Sequence, residues 1–187
     1  MNIIIFGPPG AGKGTQSKHL VKKINGFQIS TGELLRDEIK KDSEIGKKII
    51  ANMNDGKFVS DDIVNKLIKR FIFDPEKKDK LIFDGYPRSL SQAKNLNLLL
   101  DDTKQKIDFI FFLNVNKDTI IKRIEKRKAI ENRTDDELNT ILARYDTYME
   151  TTKPVLEFYS KNPNFHEIDG THEIDEITRK IDSFINV

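Results

Sequence analysis

The sequence predicts an α/β domain in which a parallel sheet is covered by helices on both faces. Three observations carry that prediction. The chain opens on a β-branched apolar run, Asn2-Ile3-Ile4-Ile5-Phe6, the pattern of a strand buried on both faces. Four further short apolar runs alternate with stretches of helical periodicity, a spacing that calls for crossover connections between parallel strands. A glycine-rich turn at 7–14 joins the first strand to the first helix. At 187 residues, with no repeats and no low-complexity linker, the chain reads as one domain.

The elements follow in order. Helical periodicity runs from about Lys13 to Lys23, with Leu20, Val21 and Ile24 on one side. A second strand fits Phe27–Ile29. From Ser30 to about Asn54 the chain is helix-prone, charged and only intermittently apolar, and Asp55-Gly56 ends that piece. Ser60 is placed to cap a helix over Asp61–Phe73, with an acidic pair in its first turn. Lys80–Phe83 is the third strand and roughly 89–100 a helix. Ile107–Val115 is the fourth strand, Thr119–Lys128 a helix and Ala129–Thr134 a loop. Asp135–Ser160 reads as a long helix that must yield near Pro154. Phe165–Ile168 is the last strand and Ile174–Ile185 the last helix. Two excursions leave the core, near 30–59 and 127–135.

Composition narrows the function. Apolar residues are 37% and charged residues 33% of the chain, as in a core-forming protein with a heavily charged surface. Lys+Arg 32 against Asp+Glu 30 gives no support for a nucleic-acid or membrane-surface binder. Zero cysteines exclude a disulfide scaffold, a thiol nucleophile and a Cys-ligated zinc site. No apolar run approaches the roughly 18 residues that span a bilayer, and MNIIIFGPPG lacks the basic stretch of a signal peptide. A soluble cytoplasmic protein is expected.

Chemistry concentrates in one loop. Gly7-Pro8-Pro9-Gly10-Ala11-Gly12-Lys13-Gly14-Thr15 follows a strand and opens a helix, the context of a phosphate-binding loop. Its amides point at an anion, the helix N-terminus adds partial positive charge, and Lys13 reaches the β- and γ-phosphates. Gly14 stands where a Ser or Thr usually follows the lysine, and the hydroxyl arrives one place later at Thr15. Magnesium here takes fewer protein ligands and more waters. A GTPase is excluded: Asn116-Lys117-Asp118-Thr119 lacks the final Asp of a guanine-reading motif, and Asp84-Gly85-Tyr86-Pro87 is no switch motif.

GPPGAGKGT at 7–15, STGELLR at 30–36 and DGYPR at 84–88 together resemble the adenylate kinase family, and the similarity runs the whole chain. The resemblance implies a three-layer P-loop NTPase-type fold with a five-stranded parallel sheet and the magnesium-dependent reaction ATP + AMP = 2 ADP. It makes 30–59 the monophosphate-binding excursion and 127–135 a short lid. It also implies site residues. Gly10, Ala11, Gly12, Lys13, Gly14 and Thr15 bind ATP phosphates, with Arg123, Arg127 and the backbone of His172 on the ATP side. Thr31 and Arg36 contact the acceptor base and phosphate, and Lys57, Phe58 and Val59 meet adenine and ribose. Gly85, Tyr86, Pro87, Arg88 and Gln92 complete the AMP site, Gln92 on the adenine edge. Arg133 and Arg144 clamp phosphates from the lid and the helix after it. Lys13, Arg88, Arg123, Arg133 and Arg144 form the catalytic set.

The residues themselves point the same way. Six of the 8 arginines (36, 88, 123, 127, 133, 144) fall in these segments, in a chain with 24 lysines. Arginine's planar fork suits phosphate oxygens, and phosphoryl transfer needs positioning and positive charge more than covalent chemistry. Asp84, at a strand end facing the loop, is placed to order magnesium-bound water. His19 reads as a helix-face residue and His166 as a strand-end residue, neither functional. The stretch between Arg127 and Arg133 leaves no room for a zinc-binding hairpin, so no zinc is expected. Lys128-Ala129-Ile130-Glu131-Asn132 carries no glycine, yet the loop is expected to close, since a kinase must exclude water. Expected partners are ATP and AMP or ADP, with no nucleic acid and no membrane, and the chain is expected to be a monomer. The alternatives are a UMP/CMP kinase of the same fold, which tends to carry Ala where Thr31 stands and lacks a Gln at 92, and a catalytically silent nucleotide-binding protein.

Overall fold

The computed structural model describes residues 1–131 and 137–185. Its five strands are β1 (Ile3–Phe6), β2 (Phe27–Ser30), β3 (Leu81–Asp84), β4 (Phe109–Asn114) and β5 (Phe165–Asp169). All pair in parallel, in the order β2-β3-β1-β4-β5. Central β1 sets Ile3 beside Ile82 on one flank and Phe109 on the other. It is wholly buried, as its unbroken apolar run requires.

Successive residues of the strands feed opposite layers. Ile4, Phe6, Leu81, Phe83 and Ile110 join one apolar cluster. Ile3, Ile5, Ile82, Phe111 and Leu113 join the other. The first layer is closed by α4 (Asp61–Ile72), α5 (Leu90–Asp102) and α8 (Lys153–Tyr159), through Ile68, Leu96 and Val155 among others. The second is closed by α1 (Lys13–Ile24), α6 (Lys117–Glu131), α7 (Leu138–Thr151) and α9 (Ile174–Asp182), through Leu20, Ile124, Ile141 and Ile181.

Two expectations are corrected and a third is met. The helix-prone stretch from Ser30 is two helices, α2 (Thr31–Lys40) and α3 (Glu44–Asn54). Asp42 turns the chain at φ 51°, and the Ser43 hydroxyl accepts from Gly46 N at 2.9 Å to start α3. Ser60 holds the N-cap position of α4, but its hydroxyl makes no capping bond; the acidic Asp61 and Asp62 occupy the first turn instead. The long helix to Ser160 yields at Thr152, as expected near Pro154, which has no N–H to continue α7 and fits the first turn of α8. A short 3-10 helix at Pro75–Lys77, capped by Asp74, was not anticipated.

The amino end of the sheet is sealed by polar groups. Asn2, with no exposed surface, donates from Nδ2 to Gln105 Oε1 (3.3 Å) and Lys106 O (3.0 Å). Its Oδ1 accepts from Leu81 N at 3.0 Å. Gln105 also accepts from Asp79 N and donates to Ile72 O. Each buried group thus finds a partner, which keeps its burial inexpensive. Two histidines make contacts between elements: His19 Nε2 meets Asp182 Oδ1 at 2.9 Å, joining α1 to α9. His166 lies within β5, not at its end, and stacks on Phe184 at 4.0 Å. Among the described residues, no helix is long and apolar enough to cross a membrane.

Candidate functional site

The carboxyl ends of β1 and β3 open toward a cleft, the usual place for a ligand in a parallel sheet. The loop after β1 forms its floor. Gly12 caps α1 in the left-handed region at φ 95°, so no side chain covers the first amides of the helix. Those amides remain open to an anion, and the helix dipole favours negative charge at that end.

Lys13 folds back over its own loop. Its Nζ donates to Gly7 O at 2.8 Å and Pro8 O at 2.9 Å. Desolvation there lowers its pKa to about 7 against Asp84, which pulls the other way; Arg88, Arg144 and Arg127 add repulsion.

Asp84 ends β3, is buried, and faces the loop: its Oδ2 lies 3.7 Å from where a Cβ on Gly14 would stand. That oxygen accepts from Gln28 Nε2 at 2.9 Å. One carboxylate facing the loop suits a hard cation that keeps most of its waters. Among the described residues, no three His, Cys, Asp or Glu side chains gather as a metal site.

The acceptor side is built on Arg88. Its Nε donates to Gly85 O at 2.7 Å and its Nη2 to Thr31 Oγ1 at 3.3 Å, while its guanidinium lies over the Phe58 ring at 5.3 Å. Thr31 is buried and donates to Gly85 O at 2.9 Å, so its hydroxyl supports Arg88 from beneath. The expected residues Arg36, Lys57, Phe58, Val59 and Arg144 line the same cleft, as do Gly85 and Pro87. Three expected residues of the acceptor site do not: Tyr86, Gln92 and Thr31, which lies beneath Arg88. The Tyr86 ring lies in the core, its hydroxyl donating to Asn65 Oδ1 at 2.8 Å, and burial pushes that phenol up to about 12. Gln92 is 2% exposed, with both ends of its amide bonded to protein.

On the other side, Arg123 ties the loop to the turn after β5. It donates to Ala11 O at 3.4 Å, Thr171 O at 3.5 Å and His172 O at 3.2 Å. The His172 backbone is thus engaged, while its ring lies between Asp169 and Glu176. Arg127 is close enough to Lys13 to depress its pKa. Arg133 and the rest of 132–135 in the expected lid lie outside the described residues.

The acceptor excursion rests on α7. A Cβ on Gly56, at φ 71°, would stand 2.9 Å from Thr140 O and 3.1 Å from Arg144 Cγ. Thr140 Oγ1 donates to Asn54 O at 3.1 Å across the same seam. Lining residues that sequence reading missed include Met53, Tyr148 and Thr152. Thr152 Oγ1 donates to Arg88 O at 3.2 Å, and the only signal was Pro154, which marked the helix break but not what the break would touch.

A family model described as adenylate kinase matches residues 5–164. The adenylate kinase of Pelagibacter ubique (strain HTCC1062) is 49% identical over 213 aligned positions, covering 100% of each chain. That of Mycoplasma capricolum subsp. capricolum is 41% identical over 195 positions, covering 90% of this chain and 91% of its own. That of Nocardioides sp. (strain ATCC BAA-499 / JS614) is 35% identical over 187 positions, covering 100% of this chain and 98% of its own.

Proposed function

Since the chain belongs to the adenylate kinase family, we propose that its Lys13–Arg88 cleft is where a phosphoryl group passes between two nucleotides. The reaction is reversible transfer of the terminal phosphoryl group of ATP to AMP, giving two ADP. The observation that carries the site assignment is the convergence of Lys13, Arg88, Arg144 and Arg127 on one end of the sheet, close enough to perturb Lys13.

The chemistry follows from that charge. ATP lies with its phosphates on the amides of residues 10–15, and Lys13 turns from its own carbonyls to the phosphate oxygens. AMP lies in the excursion 30–59, its phosphate on Arg36 and Arg88 and its base against Phe58 and Val59. Arg123, Arg133 and Arg144 hold the transferring group between them. The acceptor phosphate oxygen is already ionised, so no general base is needed, and the protein acts by alignment and by stabilising charge in the transition state. Asp84, through water, and Thr15 would hold magnesium, which when bound neutralises part of the phosphate charge.

A short lid at 127–135 closes over the ATP side and excludes water. The alignment with the Pelagibacter protein runs over 213 positions against 187 residues here, so that relative has residues this chain lacks, which supports the short form. The enzyme acts as a cytoplasmic monomer on free nucleotides, with no zinc. The near-even balance of charges supports the absence of a nucleic-acid partner.

A coupled assay with magnesium-ATP and AMP, CMP, UMP or GMP tests this reading. Turnover with AMP alone is expected. Turnover with CMP or UMP would move the chain to the pyrimidine kinases, and silence with all four would leave a binding protein.

A further inference from the structure

We propose that Thr152, where α7 gives way to α8, is a positioning residue for phosphoryl transfer: its hydroxyl holds the Arg88 backbone against the helix that carries Arg144, and so sets how the two arginines are spaced across the cleft. The proposal rests on the reading that Arg88 acts on the phosphates.

Thr152 stands at the N-cap of α8, where a threonine hydroxyl ordinarily accepts from an N–H of its own helix. Here it makes no capping bond. Pro154, in the first turn, has no N–H to satisfy, and the amides of Val155 and Leu156 reach the Thr152 carbonyl at 3.0 and 3.1 Å. The hydroxyl is thereby released from its own helix. It donates instead to Arg88 O at 3.2 Å, 64 positions earlier in the chain and on a different element. Thr152 is 3% exposed, so water does not compete for that hydroxyl.

Arg144, Tyr148 and Thr152 follow at four-residue intervals along α7 and its C-cap, and all three line the cleft. Thr152 N donates to Tyr148 O at 2.9 Å, so the helical ladder continues up to the residue that grips Arg88. Elsewhere Arg88 N donates to Gln92 Oε1, its Nε to Gly85 O and its Nη2 to Thr31 Oγ1. Those three bonds fix Arg88 relative to α5, the end of β3 and α2. Of the four, the Thr152 bond alone refers it to the helix of Arg144. Where placement of charge carries the rate, a shift of about 1 Å costs up to about 100-fold.

Thr152→Val replaces the hydroxyl by a methyl at similar volume, whereas Thr152→Ser keeps the hydroxyl. With magnesium-ATP and AMP we expect Thr152→Val to lower kcat about five- to tenfold, with KM for ATP within about twofold. Thr152→Ser stays within about twofold of the parent in both. In an Arg88→Ala background, Thr152→Val adds no further loss, because one residue acts through the other. A lowered Tm with kcat intact overturns the proposal, as do losses that multiply in the double variant. A loss that Thr152→Ser shares in full assigns the effect to packing and overturns it too. Arg88→Ala at parental kcat refutes the reading of Arg88, and the proposal falls with it. Arg88→Ala losing turnover while Thr152→Val keeps it refutes the proposal alone. Should Thr152→Val not fold, Thr152→Ala carries the same comparison.

Discussion

Nucleotide binding should draw a proton onto Lys13. In the free protein its pKa is about 7, chiefly because burial in the loop disfavours the charge, with Arg88, Arg144 and Arg127 adding repulsion. A neutral amine still has two N–H groups, which match the two carbonyls it meets, Gly7 O and Pro8 O. A triphosphate on the loop reverses the balance and restores the ammonium. At pH 8 the free side chain is about nine-tenths deprotonated, so binding takes up about 0.9 of a proton; at pH 6 it takes up about 0.1. Titration calorimetry with magnesium-ATP in Tris and in HEPES reads this directly. The slope of apparent enthalpy against buffer ionisation enthalpy should be near 0.9 at pH 8, where ATP itself is fully ionised, and should vanish in Lys13→Met. A zero slope at pH 8 would refute the reasoning. Stability carries the same sign. The unfolded chain holds the Lys13 proton to about 10.5 and the folded chain only to about 7, so across that window rising pH favours the folded state at this residue.

Three further outcomes are expected. Arg88→Ala should lower kcat by about 10²–10³-fold while far-UV circular dichroism stays that of the parent, since its charge acts mainly in the transition state. Gly56→Ala meets both a left-handed backbone and Thr140 O at 2.9 Å; it should cost about 1–2 kcal/mol, lower Tm by several degrees and raise KM for AMP by displacing Arg144. Thr31→Val leaves Gly85 O and one Arg88 N–H without the hydroxyl they share, so kcat/KM for AMP and for CMP should fall together, roughly tenfold. A gain with CMP would instead mean that the hydroxyl reads the base directly.

Local signals were legible in the sequence where one residue type has one physical use. The isoleucine run of β1 could only be a buried strand, and glycines between a strand and a helix could only leave amides bare. The arginines stood out against a lysine-rich chain, and Arg36, Arg88 and Arg144 do line one cleft. Legibility ended where a partner distant in sequence decides the outcome. Nothing near Asn2 announces its burial, because Gln105 and Leu81 supply the bonds that permit it. Nor does anything near Gln92 announce that Asp61, on another helix, and the Arg88 backbone hold its amide from both ends. The α2–α3 break has neither Gly nor Pro at its turn, only Asp42 at positive φ, so no composition signal marked it. Ser60 has the right type and position for a cap, yet its hydroxyl makes no capping bond.

The Asn2 network lies at the end of the sheet away from the cleft, and there the starts of β1 and β3 are tied to the side chains of Asp108 and Asn2. Heat tolerance and catalytic rate are therefore written into opposite ends of the same strands. A lineage adapting to a warmer habitat could strengthen the amino end, by tightening the contacts of Asn2 and Gln105, without stiffening the arginines that must rearrange in each catalytic cycle. The usual trade between robustness and activity arises when one set of contacts serves both, and in this architecture the two sets are separated by the length of the sheet.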